Sequence, residues 1–212
     1  MEYEVKKVTR KDTEGFILHK HYAQRMPSIS YAFGLFKGSD LLGVLTIGKP
    51  ASHSLCVGIC GEQHSKKVYE LNRLVVIDGL PKNTLSYFVS KSLKHLKNED
   101  LIIVSYADTG MGHTGYIYQA TNFIYTGMTK GRTDKYTIGN KHSRHYTSEN
   151  QHLRKVRTPK HRYVYFTKNK KLVDELKYPI LPYPKGDNSR YKLGERMRTM
   201  VINKRTGQKF FV

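Results

Sequence analysis

The chain has no tryptophan, two cysteines, and fewer than half as many acidic as basic residues. Cys56 and Cys60 stand four apart with no second pair, which excludes a disulfide scaffold and any CxxC zinc pair and points to a reduced, cytosolic protein. No run approaches the ~20 apolar residues of a membrane span. The opening Met1-Glu2-Tyr3-Glu4 has no secretory apolar region. Phosphate-binding glycine patterns are lacking too: Gly79, after a strand-like segment, is neither a Walker loop nor a GxGxxG. Apolar residues make up only 38%, but aromatics reach 11%, mostly tyrosine. That aromatic content can build a core, so wholesale disorder is excluded.

What the chain has in excess is positive charge. Thirty-seven Lys and Arg against seventeen Asp and Glu give +20 over 212 residues, which implies a polyanionic partner, nucleic acid before an anionic membrane surface. The excess is uneven: residues 1–126 carry a net +4 and residues 127–212 a net +16. The first part therefore reads as the folded body. The rest reads as the polyanion-facing part, or as a basic tail that only solubilises. Basic residues there alternate with aromatics in Lys130–Tyr136, Lys141–Tyr146 and Lys160–Tyr165. Such cations can neutralise phosphates while rings stack on bases. This marks Lys130, Arg132, Lys135, Arg144 and Arg162, with Arg25 in the body, as candidate DNA contacts.

Apolar spacing outlines the elements. Residues 3–8 form a strand, and Thr9-Arg10-Lys11-Asp12 opens a helix reaching about His21-Tyr22. Strands over 31–36 and 41–47 flank a Gly38-containing hairpin turn. Residues 49–67 lack a pattern and read as a loop, and 68–77 is a strand. Thr84–Leu96 has helical spacing, with Asn83 or Thr84 as cap. Leu101–Tyr106 is a strand buried on both faces, followed by a glycine-rich turn over 108–115. Next come a short helix over 116–121, strands over 123–126 and 163–167, and a short helix over 170–176. Strand–helix–strand beside a hairpin predicts an α/β domain with a mixed sheet, not a doubly wound one. The expected division is a catalytic domain over 1–170, DNA-facing from about 127, and a basic extension over 171–212.

Ligands of open α/β sheets bind beyond the carboxyl ends of strands, near helix N-termini. Two places qualify. The junction 77–84 leads into the lysine-faced helix, and its amides can hold a pyrophosphate or form an ordinary loop. After the most buried strand, Ser105, Tyr106, Asp108, His113, Tyr116 and Tyr118 crowd among glycines. Asp108 can accept a proton there and a tyrosine donate one; the other reading is a capped turn over core tyrosines. Arg73, inside an apolar strand, needs an anion or a place at the sheet's rim. Strict alternation puts Glu70 and Asn72 on one face and Arg73 on the other. His19 and His21, two apart, do not face one metal from a helix.

Several strings resemble the Mom proteins of bacteriophages: Tyr69–Val76, Asn83–Ser86 with Ser90, Ser105–Asp108, Gly112–Asn122, Met26-Pro27 and Arg162–Tyr165. The resemblance spans roughly residues 15–170. It implies a GNAT-like acyltransferase fold in which strand 68–77 and helix 84–97 clasp acetyl-CoA. It also implies conversion of adenine in double-stranded DNA to N6-methylcarbamoyl adenine, in the cytoplasm of the infected host, which shields the genome from restriction. Under the resemblance Asp108, Tyr118, Tyr116 and Ser105 are the catalytic group. Arg73, Asn72, Val76, Asn83, Thr84 and Ser86 line the cofactor. An iron ion is associated with the family, with His21 and Asp108 as candidate ligands. Base flipping onto tyrosines is the implied route of access. A GNAT acetylating a small amine or protein lysine, and a non-enzymatic nucleic-acid binder, are the rival readings.

Overall fold

A computed structural model describes residues 3–137, 147–186 and 198–212. Strand β1 (Tyr3–Lys7) leads through the capping box of Thr9 and Asp12 into helix α1 (Arg10–His19), the reciprocal cap that satisfies a helix's first amides. Strands β2 (Tyr31–Lys37) and β3 (Asp40–Gly48) form the expected hairpin. Helix α2 (His53–Cys60) and a 3-10 turn (Glu62–Lys67) follow where a loop was expected. Its apolar face is Leu55, Cys56, Ile59 and Cys60, whose period is disguised because cysteine serves as the small hydrophobe. Then come β4 (Val68–Val76), α3 (Thr84–His95), β5 (Ile102–Asp108) and α4 (Tyr116–Gln119). Strands β6 (Ile124–Met128), β7 (Arg132–Lys135), β8 (Leu153–Arg157), β9 (Lys160–Phe166), β10 (Met200–Asn203) and β11 (Lys209–Phe211) follow, with 3-10 turns at Thr109–Met111, Ser148–Asn150 and Lys170–Glu175, the last where a short helix was expected.

Seven strands make a mixed sheet in the order β1-β2-β3-β4-β5-β9-β6. Only β4 and β5 are parallel, joined by the α3 crossover. One face packs on α3, with Leu45, Leu71, Phe88, Val89, Leu93, Ile103 and Tyr163 in a common core. The other face carries two clusters, one under α1 (Phe16, Ile17, Val44, Val75) and one under α2 (Cys56, Ile59, Ile102, Val104).

A second sheet, of order β11-β10-β8-β7, was not expected. Its strands are short and rich in charge, so they lack the apolar alternation by which strands are recognised. Backbone pairing of β10 with β8 carries the chain's end back onto residues 153–155, across the expected boundary at residue 170.

Candidate active site

The parallel pair opens the site. β4 and β5 pair only at Val68–Glu70 with Ile102–Val104. Beyond that point β4 stays bonded to β3, and β5 to β9, but not to each other. The Ser105 hydroxyl donates to the Leu71 carbonyl at 3.0 Å at the apex of this wedge. The wedge exposes edge backbone at the carboxyl ends of two strands, where ligands of open α/β sheets bind.

A bulge sets which side chains meet there. Thr46 pairs with Arg73 and Ile47 with Leu71, leaving Asn72 as the extra residue. Such a bulge shifts the alternation by one. Leu71, Leu74 and Val76 therefore face α3, while Val68 and Val75 face α1 and α2. The expectation that Glu70 and Arg73 oppose each other is corrected: Glu70 and Arg73 share the face of Val68 and Val75 and influence one another's ionisation. Burial raises the Glu70 carboxyl's pKa, opposed by Lys160 and Arg73.

Asn72 itself is a bolt. It accepts from the buried Thr46 hydroxyl at 2.6 Å and donates to the Ser28 carbonyl at 2.8 Å. Arg73 donates to the carbonyls of Asn72 (2.7 Å) and Arg25 (2.9 Å), and its buried Nε has no hydrogen-bond partner. Gly48 completes the seat, since a Cβ there would collide with the Ser28 carbonyl. The segment after α1 is thus clamped over the end of β4, bringing His21 and Tyr22 to the wedge.

Tyr22 is the hub. Its hydroxyl's pKa is raised by burial and by Asp108 and Glu70, with Arg73 opposing; Tyr118 in turn responds to Tyr22 and Glu70. Arg73, Asp108 and Tyr118, from three elements, therefore share one neighbour. Tyr118, on the α3 side, has its pKa pushed up to about 12 by burial, with the Ser105 hydroxyl opposing. Asp108 is at the mouth. Its Oδ1 accepts from Thr158 Oγ1 (2.5 Å) and the Gly110 amide (3.0 Å), and Oδ2 pairs with Lys160 at 3.0 Å. Burial alone would raise its pKa; Lys160 and these donors outweigh that and keep it ionised. His21, 5% exposed and stacked on Tyr22 at 4.3 Å, has its pKa pushed down to about 3 by burial, then by Arg73 and His113.

The other expected residues are placed as follows. Tyr116 is 50% exposed on α4, outside this group. Val76 ends β4 against the α3 core. Asn83 caps α3 in the left-handed region (φ 69°), which frees a tight entry into the helix. Thr84 donates to the Pro81 carbonyl and Ser86 to that of Asn83, so both hydroxyls serve the helix start. Arg25, Lys130, Arg132 and Lys135 are exposed, and Arg144 lies outside the described residues. Arg162 is a correction: it is 7% exposed, donates to Thr126 Oγ1 (2.9 Å) and O (2.7 Å), and stacks on Tyr178 at 3.2 Å. Burial, these two bonds and the Tyr178 ring turn its guanidinium away from the surface a phosphate would meet. Tyr22 and Lys160 also reach this candidate site and were passed over by sequence reasoning, which put Glu70 on the wrong face.

The iron expectation is not supported. Among the described residues no three His, Cys, Asp or Glu side chains gather around a metal-sized space. Asp108 is held by Lys160, Thr158 and Gly110, and His21 Nδ1 accepts the Ala23 amide at 3.0 Å. Two donors already committed do not make an iron site. Both cysteines are buried, and burial raises the pKa of the Cys60 thiol to about 11, which removes it as a nucleophile at neutral pH.

Comparison with known proteins now decides the family. The model of the Mom protein family matches residues 2–185. The chain belongs to the Mom protein family. The methylcarbamoylase Mom of Escherichia phage Mu is 34% identical over 115 residues, covering 51% of this chain and 46% of that protein; the Mom-family chain thus matches about half the length of that curated relative. Among solved structures, Arabidopsis thaliana NAA60 in complex with a bisubstrate analogue gives a TM-score of 0.51 at 11% identity, over 79% of this chain and 98% of that one. An N-acetyltransferase from Staphylococcus aureus gives 0.48 at 11% identity, over 79% and 99%. The Mom-family chain therefore has the mixed α/β fold of the GNAT acetyltransferases, with its wedge between the parallel pair. No helix among the described residues is long and apolar enough to cross a membrane.

Proposed function

We propose that the protein is a transferase that modifies the N6 amine of adenine in double-stranded DNA to the methylcarbamoyl form, with an acyl-CoA as co-substrate, in the cytoplasm of a phage-infected bacterium. The observation that carries the reading is the match of residues 2–185 to the Mom family on a chain whose β4–β5 pair splays into a wedge, with Ser105 bonded to the Leu71 carbonyl at its apex and Asp108 held by Thr158 and Lys160 at its mouth. The open edge of β4 offers backbone groups to the extended amides of an acyl carrier, and the start of α3 lies beyond it for the pyrophosphate. Bound there, an acyl-CoA would supply a two-carbon unit, and its conversion to the methylcarbamoyl group takes a two-electron oxidant and a nitrogen donor as further co-reactants.

An exocyclic adenine amine is a poor nucleophile because its lone pair is delocalised into the ring, so a base must take its proton as the new bond forms. Glu70, with its pKa raised by burial, suits that task. Tyr118 keeps its proton at neutral pH and can donate to an oxygen. The unpaired Arg73 Nε offers a second donor where negative charge develops. Asp108, fixed by three donors, is suited to orient the base by accepting from its amine. Tyr22 and Tyr118 supply faces on which an extruded base can stack.

The test is mass spectrometry of nucleosides from bacteria expressing the protein. A new adenosine species, abolished in Asp108→Asn and reduced about 100-fold in Tyr118→Phe, supports the reading. Unmodified DNA together with an acetylated amine or lysine would replace it with the plain acetyltransferase. Absence of both, with DNA still bound, would favour a binding protein.

A further inference from the structure

The four-stranded sheet is where the charge excess becomes a surface. Strands β7 and β8 with residues 198–212 hold nine Lys and Arg against one acid, Asp134. Registers divide its side chains between two faces, because directly paired residues of antiparallel strands point the same way. On one face stand Asp134, Lys155 and the fully buried Val201, with Arg132 paired to Arg157. Asp134 binds Arg157 at 2.7 Å and Arg132 at 3.5 Å, so the sheet's one carboxylate is spent on this inner face. The opposite face carries a row crossing all four strands: Lys135, Arg154, Ile202, Lys209. Next to it runs the row Thr133, Val156, Met200, Phe211. Lys135 and Lys209, on the two edge strands, are exposed, and Phe211 is 61% exposed.

We infer that this outer face is the platform on which a DNA duplex docks, straddling a groove. Three interstrand steps separate Lys135 from Lys209, about 14 Å, close to the ~12 Å width of the B-DNA major groove. Each lysine then meets a phosphate of a different strand, while the middle of the face, Arg154 and Ile202 beside Val156 and Met200, fronts the groove. Among the described residues of these four strands, none on this face is acidic. β8 runs through Thr158 and Pro159 directly into β9, and Thr158 holds Asp108. A duplex on the platform is thereby anchored two residues from the site's mouth. The residues matched by the Mom family end at 185, before β10, so the C-terminal strands complete the platform outside the matched region. The inference rests on the DNA-modification reading only for its choice of duplex over other polyanions.

The experiment measures binding of the full chain to a labelled duplex across a salt series. Lys135→Ala with Lys209→Ala should weaken binding roughly tenfold per lost contact at 0.1 M salt and make the log–log salt slope shallower by about 2. Lys135→Arg with Lys209→Arg should bind like the parent, and thermal melts check that both pairs fold. An unchanged slope in a folded alanine pair overturns the platform. So does preference for anionic phosphatidylserine vesicles, or for single strands, over the duplex. Slope-dependent duplex binding without any modified adenine would sink the enzymatic reading and leave the platform standing; modified DNA with unaltered slopes would do the reverse.

Discussion

Replacing Asn72 by alanine probes the clamp over the site. The substitution deletes two hydrogen bonds, from Thr46 Oγ1 at 2.6 Å and to Ser28 O at 2.8 Å. Each such bond contributes about 1 kcal/mol net, but the Thr46 hydroxyl is fully buried and would be stranded, at about 1–3 kcal/mol. The expected loss is therefore about 2–3 kcal/mol, a fall in Tm of roughly 5–10 °C for a chain of this size. Thr46→Val removes the stranded donor, so the double variant should be less destabilised than the sum of the singles by about 1 kcal/mol or more. Freed from Ser28, the segment carrying Tyr22 loses its seat, and DNA modification should fall well beyond the loss of folded protein at 25 °C. Thermal melts of the four cycle members, with nucleoside mass spectrometry on each, decide it. Melting of Asn72→Ala at the parental temperature, or strict additivity in the cycle, would refute the role given to the bulge.

Four further outcomes follow from single residues. His21 is neutral in the fold down to about pH 3, whereas an unfolded histidine takes a proton near pH 6.5. The unfolded state thus binds more protons between these values, and His21 removes stability as pH falls through that window, at most ~1.4 kcal/mol per pH unit. His21→Asn should flatten the stability–pH profile there by denaturant titration; an unaltered slope would contradict the burial. Glu70, with its pKa raised, works in the opposite sense above the ordinary glutamate range, gaining stability as pH falls. Arg162→Met should cost about 3 kcal/mol by leaving the buried Thr126 hydroxyl and carbonyl without their donor, lowering Tm while leaving the salt slope of DNA binding unchanged; a shallower slope would return Arg162 to the DNA interface. Gly115→Ala, at φ +87° with the Tyr163 ring where its Cβ would stand, should cost a few kcal/mol in a melt and disturb the turn before Tyr118.

The main sheet was legible because its strands are apolar and its crossover helix amphipathic: β2, β3, β4, α3 and β5 follow their spacing closely. Asp108, Tyr118, Ser105 and Arg73 were legible as oddities, polar groups set in apolar or glycine-rich surroundings. Glu70 was misjudged for a definite reason. Alternation along a strand is a local rule, and one extra residue at Asn72 inverts it; only the register against Thr46 and Ile47 reveals the inversion. Tyr22 and Lys160 escaped notice because each reaches the site from a segment distant in sequence, and long-range adjacency leaves no periodic trace. Arg162 was misread since an arginine beside tyrosines looks alike whether it stacks on a base or on Tyr178.

The same bulge explains how one sheet serves two faces of a reaction. Tyr118 stands among the α3-side residues, whereas Glu70 and Arg73 are on the opposite face. In an unbroken parallel pair the sheet would separate them. The end of β4–β5 pairing at Glu70–Val104 removes that wall, and the bulge two residues later turns Arg73 onto the face of Glu70. A donor from one layer and a base from the other can then act across a single opening. If Asn72 were deleted, Arg73 would follow Leu71 directly and still oppose Thr46, so ordinary alternation would keep it on the face of Glu70. The deletion variant should therefore fold, short of the two hydrogen bonds of Asn72 and about 2–3 kcal/mol less stable in a thermal melt. Failure to fold would show that the extra residue does more than aim Arg73 and bolt the segment at Ser28.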